Sequence, residues 1–360
     1  MSDCIKTVPV MTIGLDVGDT YCQVCVLDAA GEVVEEGRVR TTPEALQRRF
    51  GSTPSVRIAL EVGQHSPWIS RLLSESGHEV IVANARKLRL IYDNDRKNDR
   101  ADAQYLARLA RLDPRLLSPV EHRSIQTQQD LEVLKARDVL VATRTRLINH
   151  VRGAVKVFGV RIPKCGSGGF ATKAGRHLPH EQLSAVRPLL DMIRSVTVTI
   201  RSHDKQIEQL CEQGYPHTQL LRQVTGVGPV TALRYVLTIE DPHRFRSSRS
   251  VGSYVGLTRR ENRSGGHDPE LRITKAGDRS LRRLLVQSAQ YILGPFGPDT
   301  DLRRWGLALA ARGRKNAKKR AVVAVARKLA VLLHRLWVTG EVYEPLRAAV
   351  NNAGARVPAA

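Results

Sequence analysis

The order of apolar segments over residues 1–117 is the feature that most constrains the fold. Alternating apolar residues predict three short strands joined by turns, and the segments that follow switch between helical and strand periodicity. The predicted strands cover 8–16, 21–29, 32–40, 56–61 and 78–84, and the predicted helices cover 43–50, 66–76 and 99–112. A three-strand meander followed by alternating strands and helices predicts a mixed α/β domain.

This order resembles the ribonuclease H-like (RuvC-like) fold, and four acidic residues lie where that fold needs carboxylates. Asp16 ends the first predicted strand, Glu61 ends the fourth, and Asp99 and Asp102 share one face of the last helix at i, i+3 spacing. Carboxylates suit Mg²⁺, and a pair of such ions can hold the attacking and leaving oxygens of a phosphodiester. We expect the four to converge around divalent metal, although a single Asp is more often a helix cap or a solvated charge.

The net charge of +22 predicts a polyanionic partner, and it is unevenly distributed. Residues 1–117 carry 16 basic and 16 acidic residues, whereas 118–360 carry 41 and 19. No stretch approaches 18 consecutive apolar residues and the start lacks signal-peptide features, so we expect a cytoplasmic protein with no membrane partner. The five cysteines are expected to be reduced, and Cys22 and Cys25 lie on opposite faces of a predicted strand, which disfavours a metal site.

Four regions are predicted along the chain: a catalytic α/β domain over 1–117, a helical coiled-coil linker over 118–215, a mainly helical domain over 216–345 and a flexible tail over 346–360. Two sevenfold apolar series within 119–160 indicate the coiled coil; they are Val133, Leu140, Leu147 and Leu134, Val141, Ile148. We favour a helix that associates with a second copy; the alternative is a long helix packed within its own chain. A glycine-rich loop over 164–179 and a second helix over about 181–212 would complete a hairpin of helices.

The basic part of the chain holds three candidate nucleic-acid-binding segments. Gly226 and Gly228 lie between two apolar helices, as in a helix-hairpin-helix turn that offers backbone amides to phosphate. Ser264 is flanked by glycine and arginine, so it is a candidate nucleophile, although most such serines are only turn residues. Residues 312–328 carry eight basic residues and no acid, and predict a helix that contacts the phosphate backbone. The basic candidates are Arg259, Arg260, Arg263, Arg272, Lys275, Arg282, Arg283, Arg314, Lys315, Lys318, Lys319 and Arg320.

Taken together, these motifs resemble the insertion sequence 110 family of transposases, the DEDD-plus-serine recombinases related to the Piv invertases. The resemblance covers nearly the whole chain and rests on IGLDVGDTYCQVCVLD, IALEVGQHSPWISRLL, KNDRADAQYLARL, QVTGVGPVTA, YVGLTRRENRSGGHD, KAGDRSLRRLLVQSA and KKRAVVAVARKLAVLLHRLW. It implies that Asp16, Glu61, Asp99 and Asp102 form the acidic tetrad and that Ser264 is the catalytic serine. Asn98 departs from the family pattern, which has Thr before the third acid.

The resemblance also implies a mechanism. Mg²⁺ on the tetrad would assist Ser264, which attacks a DNA phosphodiester and forms a transient phosphoserine link. A noncoding bridge RNA would specify target and donor DNA by pairing. The site would be composite, within a homo-oligomer that is a dimer or a tetramer.

Three other functions compete with this one. A metal-dependent nuclease of the Holliday-resolvase type needs the acids and the basic surface but not Ser264. A sugar-kinase-like ATPase would use the DxGxT motif at Asp16–Thr20, but a second such motif is missing and the surplus charge does not suit a metabolite enzyme. A non-catalytic nucleic-acid-binding protein would tolerate neutralisation of the four acids.

Overall fold

A computed structural model describes residues 11–87, 99–262, 271–313 and 316–347. The chain forms two compact units, Met1–Ser124 and Ile125–Ala360. The further division of the second unit near residue 215 stays a prediction.

Unit 1 is a five-stranded mixed sheet with helices on both faces, and its element order is the predicted one. The strands are β1 (Thr12–Val17), β2 (Tyr21–Leu27), β3 (Val33–Arg40), β4 (Arg57–Glu61) and β5 (Glu79–Ala83), and the helices are α1 (Pro43–Phe50), α2 (Ser66–Glu75) and α3 (Asp99–Leu112). The sheet order is β3-β2-β1-β4-β5, with β1 antiparallel to β2 and parallel to β4. The mixed α/β prediction is therefore confirmed, and the architecture is consistent with a ribonuclease H-like domain.

Alternation along the strands divides the apolar side chains of unit 1 between two faces. On one face Ile13 and Leu15 of β1 pack with Leu46 and Phe50 of α1. On the other face small residues dominate the contact with α3, which packs through Ala103, Leu106, Ala107 and Ala110. Gly14 allows the closest approach, because a Cβ at that position would lie 1.9 Å from the backbone oxygen of Ala103. The helix α3 therefore rests almost directly on the backbone of β1.

Unit 2 is helical. Its helices are α4 (Ile125–Ala154), α5 (Phe170–His177), α6 (His180–Gln209), α7 (Thr218–Arg222), α8 (Pro229–Ile239), α9 (Ser248–Tyr254), α10 (Arg279–Leu293), α11 (Asp301–Ala310) and α12 (Ala317–Thr339). The loop predicted over 164–179 is wrong in part, because 170–177 is helical: Phe170 and Ala174 are buried against the end of the long hairpin, and this tertiary contact outweighs the local glycine content.

The long helices α4 and α6 pair within the chain. One end of the pair packs through Leu131, Leu134 and Ile207, and the other through Ile148 and Ile193. The helix with the sevenfold pattern, α4, thus packs against a helix of its own chain, which is one of the two interpretations of the sequence. The remaining helices α7–α12 enclose a separate apolar core around Tyr235, whose hydroxyl donates to the Ala330 carbonyl at 2.7 Å.

No helix in the described ranges is long and apolar enough to cross a membrane.

Candidate active site and nucleic-acid interface

Two of the four predicted acids lie next to each other at the carboxyl ends of neighbouring parallel strands. The register of β1 and β4 pairs Leu15 with Leu60, so the next residues along, Asp16 and Glu61, occupy adjacent positions. Paired positions of parallel strands share a face of the sheet. Successive residues of a strand face opposite sides of the sheet, so Asp16 lies on the face opposite to Leu15. This is the face of Gly14, which α3 covers. Both carboxylates are half-buried.

The direction of α3 brings its first turn to the same end of the sheet. Ala103 lies over Gly14, while the carbonyl of Ala110, near the carboxyl end of α3, accepts a hydrogen bond at 3.1 Å from Arg57 at the start of β4. The helix therefore runs opposite to β1 and β4. Its first turn, with Asp99 and Asp102, extends past Gly14 towards the carboxyl ends of these strands.

Asp99 and Asp102 continue the stripe with which α3 contacts the sheet. Asp99 lies one turn before Ala103, and Asp102 lies one turn before Leu106. Asp99 is exposed and Asp102 is half-buried. The strand register and the direction of α3 thus put the four acids towards the same end of one face. Within the described residues, no group of three or more His, Cys, Asp or Glu side chains is arranged to hold a metal ion.

Three hydrogen-bonded side chains that were not predicted from the sequence lie at the same end of the sheet. The indole N–H of Trp68 donates to Nδ1 of His65 at 3.1 Å, so the ring proton resides on Nε2, which donates to Asp19 Oδ1 at 3.1 Å. Asp19 follows β1, and His65 immediately precedes α2. The motif EVGQHSPW contains this signal, because it places a histidine and a tryptophan three residues apart at a helix start.

In unit 2, the residues on either side of the Ser264 segment are held side by side. The N–H of Arg260 donates to the Arg272 carbonyl at 3.0 Å, and Arg259 forms an antiparallel bridge with Ile273. Ser264 and Arg263 themselves lie outside the described residues. The exposed Arg259, Arg260 and Arg272 are thus brought together at the base of the segment that contains the predicted nucleophile.

Two glycines make this pairing possible. Gly256 and Gly277 both have positive φ, +71° and +69°. A Cβ on Gly256 would lie 2.3 Å from the backbone of Ala276, and one on Gly277 would lie 2.1 Å from the carbonyl oxygen of Tyr254. The YVGL and KAGD motifs therefore encode a close crossing of two backbone segments.

Arg282 and Arg283 make contacts within the protein. The Arg282 guanidinium donates to the carbonyls of Val255 and Ala276 at 3.0 and 2.6 Å, so it links the two backbone segments that cross. Arg283 pairs with Asp138 of α4 at 2.6 Å. Both were predicted to bind nucleic acid, and these contacts give each of them a structural role that the sequence did not reveal.

The two glycines of the predicted phosphate-contacting turn lie just before α8. Gly226 has φ +91° and approaches Tyr291 closely, whereas Gly228 is the N-cap of α8 and has open space where a Cβ would be. A cavity of about 450 Å³ borders this turn and includes Arg222 in its lining. The cavity therefore borders the start of α8, where the positive end of the helix dipole lies.

The basic helix forms as predicted, although it starts at Ala317. Lys318, Lys319 and Arg320 are exposed in its first turn, and Arg314 and Lys315 lie outside the described residues. Arg259, Arg272, Lys275, Lys319 and Arg320 line one cavity of about 1030 Å³. Three more cations line it: Arg327 and Lys328, which belong to the predicted basic segment 312–328, and Arg249, which was not among the predicted candidates.

Comparison with known proteins assigns a class to this combination of an acid-bearing α/β unit and a basic helical unit. Residues 13–159 match a DEDD transposase family model, described as a transposase. Residues 218–300 match a second model, described as the transposase IS116/IS110/IS902 family. The first match spans the acids, and the second spans both the glycine turn and Ser264.

The chain belongs to the IS110 family of insertion-sequence transposases. It is 27% identical over 343 residues to the transposase for insertion sequence element IS1111A of Coxiella burnetii, a match that covers 92% of this chain and 90% of that protein. It is also 27% identical over 340 residues to a protein of Pseudomonas aeruginosa named "Probable family 20 transposase", with 92% and 98% covered.

Proposed function

We propose that this transposase cuts and rejoins DNA through Ser264, assisted by Mg²⁺ held at Asp16, Glu61, Asp99 and Asp102. The observation that supports the proposal is the geometry of the sheet: Asp16 and Glu61 end adjacent parallel strands, and the first turn of α3, with Asp99 and Asp102, runs towards the same end. This donor set consists only of carboxylate oxygens, which fits a hard cation such as Mg²⁺. Bound there, the metal would stabilise the charge that develops on a phosphodiester.

In this proposal, the serine makes the covalent bond. Its oxygen attacks the phosphorus and loses its proton, one P–O bond of DNA breaks, and the released sugar hydroxyl takes up a proton. The reverse reaction with a second DNA end restores the phosphodiester, so no bond energy is lost to water. Arg259, Arg260 and Arg272 at the base of the serine segment supply positive charge for the phosphate under attack.

The partners follow from the family and the charge. Target and donor DNA would be paired by a noncoding bridge RNA, and a homo-oligomer would supply the composite site in the cytoplasm. The excess of basic residues after residue 117 supports binding of such polyanions.

The decisive experiment compares Ser264→Ala with Ser253→Ala, a matched control at an exposed serine of α9. Full-length protein is incubated with Mg²⁺, donor and target DNA and RNA transcribed from the flanking noncoding segment. Denaturing gels then report the protein–DNA adduct, and PCR reports the junctions. We expect Ser264→Ala to lose both products and Ser253→Ala to keep them. Recombination that persists without Ser264 would instead favour the metal-dependent nuclease.

The acids are tested separately. Asp16→Asn and Glu61→Gln keep the size of each side chain and remove its charge, so we expect loss of cleavage with folding retained. Chelation by EDTA should have the same effect on the wild type, and added Mg²⁺ should reverse it. Cleavage unaffected by either substitution would contradict the metal site.

A further inference from the structure

The large cavity of unit 2, called here the Trp305 pocket, combines positive charge with an apolar wall. Its volume of about 1030 Å³ lies at the upper end of the sizes typical of small-ligand sites, which are roughly 300–1,000 Å³. Three walls form it: one face of α12, the paired strand-like segments 256–260 and 272–275, and Trp305 of α11. Its apolar lining comes from Leu257, Leu271, Ile273, Val323 and Val331.

The lining of the Trp305 pocket is strongly basic. Eight basic side chains line it, and none of the described lining residues is acidic. Within the described ranges, six of the eight form no ion pair with a carboxylate: Arg249, Arg272, Lys275, Lys319, Arg327 and Lys328. Cations held this close together repel one another, so the arrangement favours an anionic ligand.

The side chains of the Trp305 pocket are positioned by packing. The aliphatic stem of Arg327 lies against Gly252 of α9, where a Cβ would come within 3.0 Å of Arg327 Cγ. Lys328 Nζ lies 4.3 Å from the centre of the Trp305 ring, a cation–π distance. Trp305 is 37% exposed and lines the pocket, so part of its surface borders the space beside these charges.

A bound phosphate group would explain why the pocket is lined with cations, but not why it also has an apolar wall and the indole of Trp305. We propose that the Trp305 pocket takes one unpaired nucleotide of a nucleic-acid strand, with its base against Trp305 and the apolar wall and its phosphates on the surrounding cations. A base lifted out of its stack offers an aromatic face, and stacking on a side chain offsets the cost of unpairing it. The inference rests on the proposed function only in taking nucleic acid as the ligand.

The experiment measures the contribution of the bases at constant charge. A fluorescent twelve-nucleotide single strand and its fully abasic counterpart carry the same phosphates, and fluorescence anisotropy in EDTA reports their binding to the full-length protein without cleavage. We expect the wild type to bind the intact strand at least about tenfold more tightly than the abasic one. Trp305→Leu should lose most of that difference, and Trp305→Phe should restore it.

A matched control is Phe296→Leu, which removes another exposed aromatic of unit 2 outside the Trp305 pocket. It should keep the wild-type preference for bases. Lys319→Gln should weaken both strands equally and reduce the salt dependence of binding by about one charge. The same measurement is made with DNA and RNA strands of one sequence. The strand type whose preference for bases depends on Trp305 is the one that supplies the nucleotide.

An equal preference for bases in wild type and Trp305→Leu, with both DNA and RNA, would overturn the assignment. Should Trp305→Leu fail to fold, a Trp68→Phe, Trp337→Phe variant leaves Trp305 as the only indole. Its fluorescence must then be quenched by the intact strand and not by the abasic one. Because binding in EDTA does not involve Ser264 chemistry, this result is independent of whether strand transfer occurs.

Discussion

Replacement of Gly14 by alanine tests the packing that brings Asp99 and Asp102 to the strand ends. The glycine has ordinary φ, so alanine meets no backbone strain there and acts only through its added methyl group. That methyl group would lie 1.9 Å from the Ala103 oxygen and 2.7 Å from the Ala107 nitrogen, both backbone atoms of α3. Contacts below 3.0 Å essentially never occur, so α3 must move by at least about 1.1 Å, the difference between 3.0 and 1.9 Å.

The magnitude of the effect follows from this movement. Overpacking of a close contact costs about 1–3 kcal/mol, and the upper half of that range applies because a helix backbone cannot rotate away as a side chain can. A displacement near 1 Å at a catalytic group reduces rate about a hundredfold. Since Asp99 and Asp102 are part of the displaced helix, we expect activity to fall by about this factor even in protein that remains folded.

The assay pairs a thermal melt with the recombination assay described above. Gly37→Ala is the matched control, because Gly37 lies in β3 of the same sheet and has open space where its Cβ would be. We expect the control to melt and recombine like the wild type or slightly better. If Gly14→Ala matches Gly37→Ala in both measurements, α3 does not lie against β1 as the structure has it, and the assembly of the four acids at one end fails with it.

Two further predictions concern unit 2. Asp278 caps α10 and pairs at 2.8 Å with Arg234, a buried cation, so Asp278→Ala should destabilise the protein by about 3–5 kcal/mol. Asp299→Ala, which breaks an exposed ion pair, should cost far less, and urea melts that show equal losses for the two variants would refute this. Burial lowers the pKa of His334 below its ordinary 6.5, so the unfolded chain takes up the proton first as pH falls. Stability should therefore be highest above pH 6.5 and fall below it, and His334→Gln should flatten this decline in melts run from about pH 7.5 to 5.5.

The elements of unit 1 could be predicted because each is encoded locally. The run TIGLDV alternates between two faces, and the stretch DRADAQYLARLARL places its alanines and leucines on one helical stripe, so strand and helix follow from the spacing of apolar residues alone. Local spacing failed at 170–177, where glycine and small residues predicted a loop. There Phe170 gains enough from burial against the long hairpin to support a helix.

The site could be predicted only in part. A strand ending in Asp16 and another ending in Glu61 are visible in the sequence, but the register that makes them neighbours depends on β1 pairing with β4 across the 39 residues between the two strands. The roles of Arg282 and Arg283 were equally invisible, since an arginine that clamps two carbonyls has the same local sequence as one that contacts phosphate. Sequence patterns report charge and periodicity, and they do not report which partner a charge finds.

The sequence by itself determined the order of strands and helices in unit 1, the four acids, the basic surplus after residue 117 and the glycines of the two crossing motifs, because these depend on local periodicity and composition. The tertiary structure alone decided that α3 runs opposite to β1 and that cations from four separate segments meet around Trp305, and it gave the sevenfold pattern of α4 a partner, α6, within the same chain. A heptad pattern is the same whichever helix it packs against, and a cluster of side chains distant in sequence exists only once the core between them has formed.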